Sequence, residues 1–133
     1  MQAVFPGIHI ISDVVVSNPL CPTHVQRAAG KQLAVAEQAA HAKVAKYREL
    51  ADENQATLVP FSVEATGGLD KRAVELIDQI SLASRDQLTA VSPDHITNHL
   101  KGAVAVAIQR GNAAIMHAAY ARAVLAQQGP GAA

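Results

Sequence analysis

Two short β-branched runs, Ile8 to Val16 and Thr57 to Val63, flank an alanine-rich segment of helical pattern from about His24 to Asn54. Strands joined through a helix pair in parallel, with a right-handed crossover. That sets the expected class as α/β: a small sheet of two to three strands, built on a β-α-β crossover and followed by C-terminal helices. Two strands alone make a poor sheet, so Ala3 to Ile11 is the candidate for a third, with Pro6-Gly7 as the turn before Ile8. Val14, Val15 and Val16 are apolar without alternation, which predicts a strand buried on both faces. Asn18-Pro19 ends that run, and Pro60 marks an edge or a bulge in the second.

The helical segments carry their own punctuation. Thr23 is a candidate N-cap. Gly30 costs about 1 kcal/mol against alanine inside a helix, so a break there gives a short helix and a long one. Gly67-Gly68 closes the second strand, and Leu69 to Ala83 is amphipathic, with Val74, Leu76, Ile77 and Ile80 inward. Ser92-Pro93-Asp94 predicts a helix start with proline at its first position. The run to about Gln127 is alanine-rich, and Gly102 and Gly111 could bend it or admit a neighbouring helix. Residues 1–91 are expected to form the β-α-β-α core, 92–128 a helical extension packed on it, and 129–133 a frayed tail.

Composition removes several classes. Eleven basic and eleven acidic residues leave no net charge, so no global field draws the chain to nucleic acid, and only a local basic patch could. Cys21 is the only cysteine, which excludes a disulfide framework and a cysteine-rich zinc site. Met1 to Ile11 lacks the basic stretch of a signal peptide, and no apolar run is long enough to span a membrane. These features point to an intracellular protein without a membrane partner. No Gly-x-Gly-x-x-Gly or P-loop pattern is present, so a nucleotide or other small-molecule cofactor has no support.

The residues that suggest chemistry are Asp13, Lys43, Lys46, Tyr47 and Glu64. Each acid lies in a strand run, and the lysines and the tyrosine lie on the helix between. Lys43 and Tyr47 are one turn apart and point the same way. Phosphodiester cleavage by this route needs carboxylates to hold Mg²⁺, here Asp13 and Glu64, and a lysine to orient water and steady the phosphate. The competing readings are ordinary ones. Asp13 could sit at a solvent-facing strand start, the lysines could belong to a solvated charged face shared with Arg48, Glu49, Asp52 and Glu53, and Glu64 could cap backbone at the turn.

Asp13-Val14-Val15-Val16-Ser17-Asn18-Pro19-Leu20, Lys43-x-x-Lys46-Tyr47, Val59-Pro60-Phe61-x-x-Glu64-x-x-Gly67-Gly68 and Ala107-Ile108-Gln109-Arg110-Gly111-Asn112-Ala113 occur in that order. Together they resemble the C-terminal region of non-LTR, LINE-like retrotransposon polyproteins, which is similar to restriction-enzyme-like endonucleases of the PD-(D/E)XK superfamily. The resemblance runs from about Ile10 to Ala123. It implies a partial PD-(D/E)XK-like core, DNA as partner in the context of the full polyprotein, Mg²⁺ as cofactor, nicking for target-primed reverse transcription, and a nuclear location for an active element. By position, Asp13 matches the second catalytic acid, Lys43 the catalytic lysine, Tyr47 the tyrosine one turn later, Lys46 a member of the same motif, and Glu64 a recurrent glutamate of catalytic or structural role. The family's first acid, in a Pro-Asp or Gly-Asp motif about a dozen residues earlier, has no counterpart. Pro6-Gly7 is followed by Ile8, and no acid precedes Asp13. The resemblance therefore implies a fragment that is inactive by itself.

Two other readings follow from the residues. The segment Thr97 to Gln127 could serve as a non-catalytic interaction helix, pairing with another copy where Gly102 and Gly111 permit close approach. His95 and His99, four apart beside Asp94, or Cys21 with His24, have the spacing of partial zinc sites, without a third ligand nearby.

Overall fold

The computed structural model of the chain describes residues 2–5, 8–84 and 91–129. The first run forms β1 (Gln2–Phe5), β2 (Ile8–Ile11) and β3 (Val14–Ser17). The second forms β4 (Thr57–Leu58) and β5 (Phe61–Glu64). Between and after them lie α1 (Val25–Gly30), α2 (Ala34–Glu53), α3 (Lys71–Ser84) and α4 (Pro93–Gln127). The fold is mixed α/β. The Pro6-Gly7 turn and the tail beyond Gly129 lie outside the described residues.

β2 pairs in parallel with β4, and β3 in parallel with β5 from Val14 opposite Phe61 to Ser17 opposite Glu64. β1 adds as the third strand, antiparallel to β2. The resulting sheets, β1-β2-β4 and β3-β5, are segments of one bent ladder. Val59 N–H donates to the Ile11 carbonyl at 2.9 Å, and Phe61 N–H to the Asp13 carbonyl at 2.9 Å, across the interruption. Pro60 lies between those two donors, where a strand's N–H points to the other side. It sits on the edge of the sheet and removes no ladder bond.

α2 covers one face of β3, β4 and β5, burying Val35, Ala36 and Ala40. α3 packs on β5 and α4, burying Ala73, Leu76 and Ile77. The Gly30 break separates α1 from α2 as expected. Thr23 is not the cap of α1: His24 holds that position without a side-chain hydrogen bond, and the Thr23 hydroxyl lies 3.1 Å from Cys21 Sγ. Ser92 does cap α4, accepting the His95 N–H at 3.3 Å, with Pro93 in the first turn.

The other face of β3 is open, contrary to a strand buried on both sides. Val14 is 65% and Val16 56% exposed. α4 is tied to the rest of the protein at separated points, by Thr97 Oγ1 to Ser81 Oγ at 2.8 Å and by Asn112 Nδ2 to the Ala65 carbonyl at 2.8 Å. Between those ties Ala107 and Gly111 are too small to reach the sheet, and an apolar cleft of about 420 Å³ remains between Val14, Val16 and Phe61 and Val104, Ile108 and Ile115. α4 is one continuous helix of 35 residues. Gly102 and Gly111 do not break it, and nothing lies within 4 Å of where their Cβ atoms would sit. Among the described residues, no helix is long and apolar enough to cross a membrane.

Candidate functional site

The chain places Asp13 at the bend between β2 and β3, where its carbonyl still serves the ladder while its side chain leaves the strand pattern. An aspartate disfavours a strand interior, so the interruption falls where the sequence tolerates it. α2 runs back past this point and brings up Lys43. Lys43 Nζ lies 2.7 Å from Asp13 Oδ2, with both side chains partly buried. Oδ2 is sealed from solvent, and the ammonium approaches it off the direction of an ideal hydrogen bond. One turn later Tyr47 presents its ring to both lysines, with Lys43 Nζ 5.6 Å and Lys46 Nζ 5.0 Å from its centroid. Such cation–π contacts contribute about 0.5–1 kcal/mol each at partly exposed sites.

The electrostatics follow from this pairing. Contact with Lys43 holds the Asp13 carboxyl below its ordinary range; burial pushes the other way, and the charge of Lys46 adds to the lowering. In turn, contact with Asp13 raises the Lys43 ammonium above its ordinary range, against the opposing effect of burial. Asp13 and Lys43 cancel, and Lys46 leaves the cluster with one positive charge. The cluster thus presents a cation, a tyrosine and a pre-oriented lysine side by side.

Glu64 is elsewhere. In the register of the ladder it stands opposite Ser17, four residues along from Asp13, which at about 3.3 Å per residue is roughly 13 Å. Its Oε1 accepts the backbone N–H of Ala36 at 3.4 Å, while Ser62 Oγ, two residues earlier on the same strand face, donates to the Ala36 carbonyl at 2.7 Å. Ala36 and Lys43 are seven residues apart on α2, about 10 Å along its axis. Mg²⁺ bonds its oxygens at about 2.0–2.1 Å, so no single ion joins Asp13 and Glu64. The expected shared metal site is thereby corrected: Glu64 anchors the start of α2. That start needs an anchor, because Leu33 at the N-cap is left-handed with φ 61° and has no capping side chain.

The Gly67-Gly68 pair belongs to the same anchor. Gly67 takes φ +101°, and a Cβ on Gly68 would overlap Leu33 Cδ2. The turn is closed by Gly67 N–H to the Glu64 carbonyl at 2.8 Å and Glu64 N–H to the Gly68 carbonyl at 2.8 Å. Thus the glutamate and glycines of the Glu-x-x-Gly-Gly pattern all serve the junction of β5 with α2.

Sequence reasoning passed over Ser62 and Asp70, both buried. Asp70 Oδ2 accepts the Arg72 N–H at 3.1 Å and so caps α3; an aspartate just before an amphipathic run was its legible signal. Nothing in the sequence marked Ser62. His95 and His99 are exposed on the first turns of α4. Among the described residues, no group of three or more His, Cys, Asp or Glu side chains is placed to hold a metal ion. Comparison with protein-family models, curated proteins and solved structures gave no match.

Proposed function

We propose that the chain is part of a restriction-enzyme-like endonuclease domain of the retrotransposon type, with a partial PD-(D/E)XK core, and that by itself it engages the DNA backbone without cutting it. The observation that supports this reading is the contact of Asp13 at a strand bend with Lys43 from the crossover helix, one turn before Tyr47. An acid at the break of a parallel strand, faced by a helix-borne lysine, is the arrangement the order of motifs implies. In this reading Lys43 and Lys46 bind the diester oxygens, Asp13 fixes the direction of Lys43, and Tyr47 restrains both lysines.

Mg²⁺ does not fit the donor set as it stands. Asp13 is the one carboxylate at that end of the ladder among the proposed site residues, and Lys43 already neutralises it. An ion of this kind needs converged negative charge, which here requires a second carboxylate beside Asp13. No step is assigned to a metal in this chain.

The test is binding of a short DNA duplex, read by fluorescence anisotropy across a salt series. Lys43→Ala and Lys46→Ala each weaken binding and reduce the salt slope by about one, as for loss of a phosphate contact. Supercoiled plasmid with Mg²⁺ stays intact. Binding indifferent to both substitutions would contradict the reading, as would nicking that survives Asp13→Asn.

A further inference from the structure

α4 carries two apolar stripes, one over the sheet and one turned largely away from it. Val104, Ile108, Gly111 and Ile115 face the cleft over the sheet. Across the helix, Val106, Ala113 and Tyr120 recur every seven residues, with Gln109, Met116 and Ala123 three after each; Gln109 and Met116 also edge a cleft beside Val16, Leu20 and Ala65. That is the a/d spacing of a helix seam. Val106 is 59%, Met116 72% and Tyr120 71% exposed, and α4 has no buried residue along its length.

We propose that this outward stripe pairs with the same stripe of a second copy, antiparallel, about a two-fold axis between Ala114 and Ile115. The inference stands independently of the nuclease reading. Three features fit a second copy, and the first of them selects this orientation. The first is size. With Ala113 opposite Met116, Val106 falls opposite Ala123 and Gln109 opposite Tyr120, so each large side chain meets a small or polar one, the alternation that interdigitates facing layers. A parallel pair would stack Tyr120 on Tyr120 and leave Ala113 facing Ala113, alternately crowded and empty.

The second is charge. From Gly102 to Gln127 the only formal charges are Arg110 and Arg122. Neither is an a or d residue of the stripe, Arg110 standing at an e position and Arg122 at a c position, so pairing along the seam buries no charge. The third is area. The overlap from Gly102 to Gln127 is about 39 Å long at 1.5 Å per residue. Covering about a third of two cylinders roughly 11 Å across removes on the order of 1,000 Å² in total, the lower limit of a specific interface. The pair is a concentration-dependent dimer rather than an obligate one.

The experiment uses the full chain with Cys21→Ser, followed by sedimentation equilibrium. A monomer–dimer equilibrium is expected. Met116→Glu abolishes it while circular dichroism shows unchanged helix. Gln109→Cys and Tyr120→Cys chains, mixed and oxidised, form a disulfide-linked heterodimer, and neither chain alone cross-links to itself, because like positions lie about 16 Å apart along the axis. A chain that stays monomeric up to its solubility limit overturns the proposal. Self-cross-linking of either variant alone, with no heterodimer, overturns the antiparallel arrangement.

Discussion

Glu64 on β5 accepts the backbone N–H of Ala36 at 3.4 Å, holding the first turn of α2 from a strand 28 residues further along the chain. A carboxylate at a helix N-terminus satisfies a free donor and opposes the helix dipole. It here replaces the cap that Leu33 cannot provide.

Glu64→Ala therefore removes an anchor and leaves the Asp13–Lys43 cluster, proposed above to bind DNA, in place. Loss of a capping acceptor costs about 0.5–2 kcal/mol. Urea unfolding is expected to show a loss in that range, with DNA affinity unchanged once the protein is folded. A large loss of affinity without a loss of stability would return Glu64 to the binding site.

Gly68→Ala places a methyl group onto Leu33 Cδ2. Overpacking of this kind costs about 1–3 kcal/mol. Leu33→Ala in the same chain clears the overlap, so the double substitution should be less destabilising than the two single effects added together. Strict additivity in denaturant midpoints would mean that the two residues do not meet.

The Asp13–Lys43 pair gives stability a defined pH window. The Asp13 carboxyl is held below its ordinary value of 3.8, so its contribution is complete above 3.8 and lost as the pH falls through the lower folded value. The Lys43 ammonium is raised above its ordinary value of 10.5, so its contribution is complete below 10.5 and lost as the pH rises through the higher folded value. The pair is partly exposed, and salt weakens it. The stability difference between wild type and Asp13→Asn should be flat through neutral pH and shrink on the acid side. A difference that persists unchanged into strong acid would contradict the pairing.

Gly111→Ala should stabilise the protein. No atom lies within 4 Å of the added methyl's place, and alanine gains about 0.8–1.0 kcal/mol over glycine in a helix interior. The residue faces the cleft, so dimer formation is unaffected. A destabilised variant would mean that α4 closes onto the sheet in solution.

Periodicity and punctuation carried most of the fold. The crossover between parallel strands, the third strand, the Gly30 break and the Ser92-Pro93 helix start were all legible, because each rests on local chain preference. The open face of β3 was not legible, because it depends on where a helix 80 residues later comes to rest. Asp13 and Lys43 could be nominated together since a strand, a crossover and helical spacing determine their ends of the sheet. Glu64 shares their setting in the sequence but not their place in the fold: a strand residue's type does not say at which end of the ladder it lies, and parallel register puts it at the other end. There it takes the backbone-capping role that its position beside the turn also allowed. Ser62 gave no signal, since a serine in a strand reads the same whether it faces water or a helix.

The most direct test of the central claim is amide and side-chain NMR of the labelled chain titrated with a short DNA duplex. Shift changes are expected at Asp13, Lys43, Lys46 and Tyr47, absent around Glu64 and Ala36, and much reduced in Lys43→Ala. Changes confined to other surfaces, or undiminished by Lys43→Ala, would contradict it.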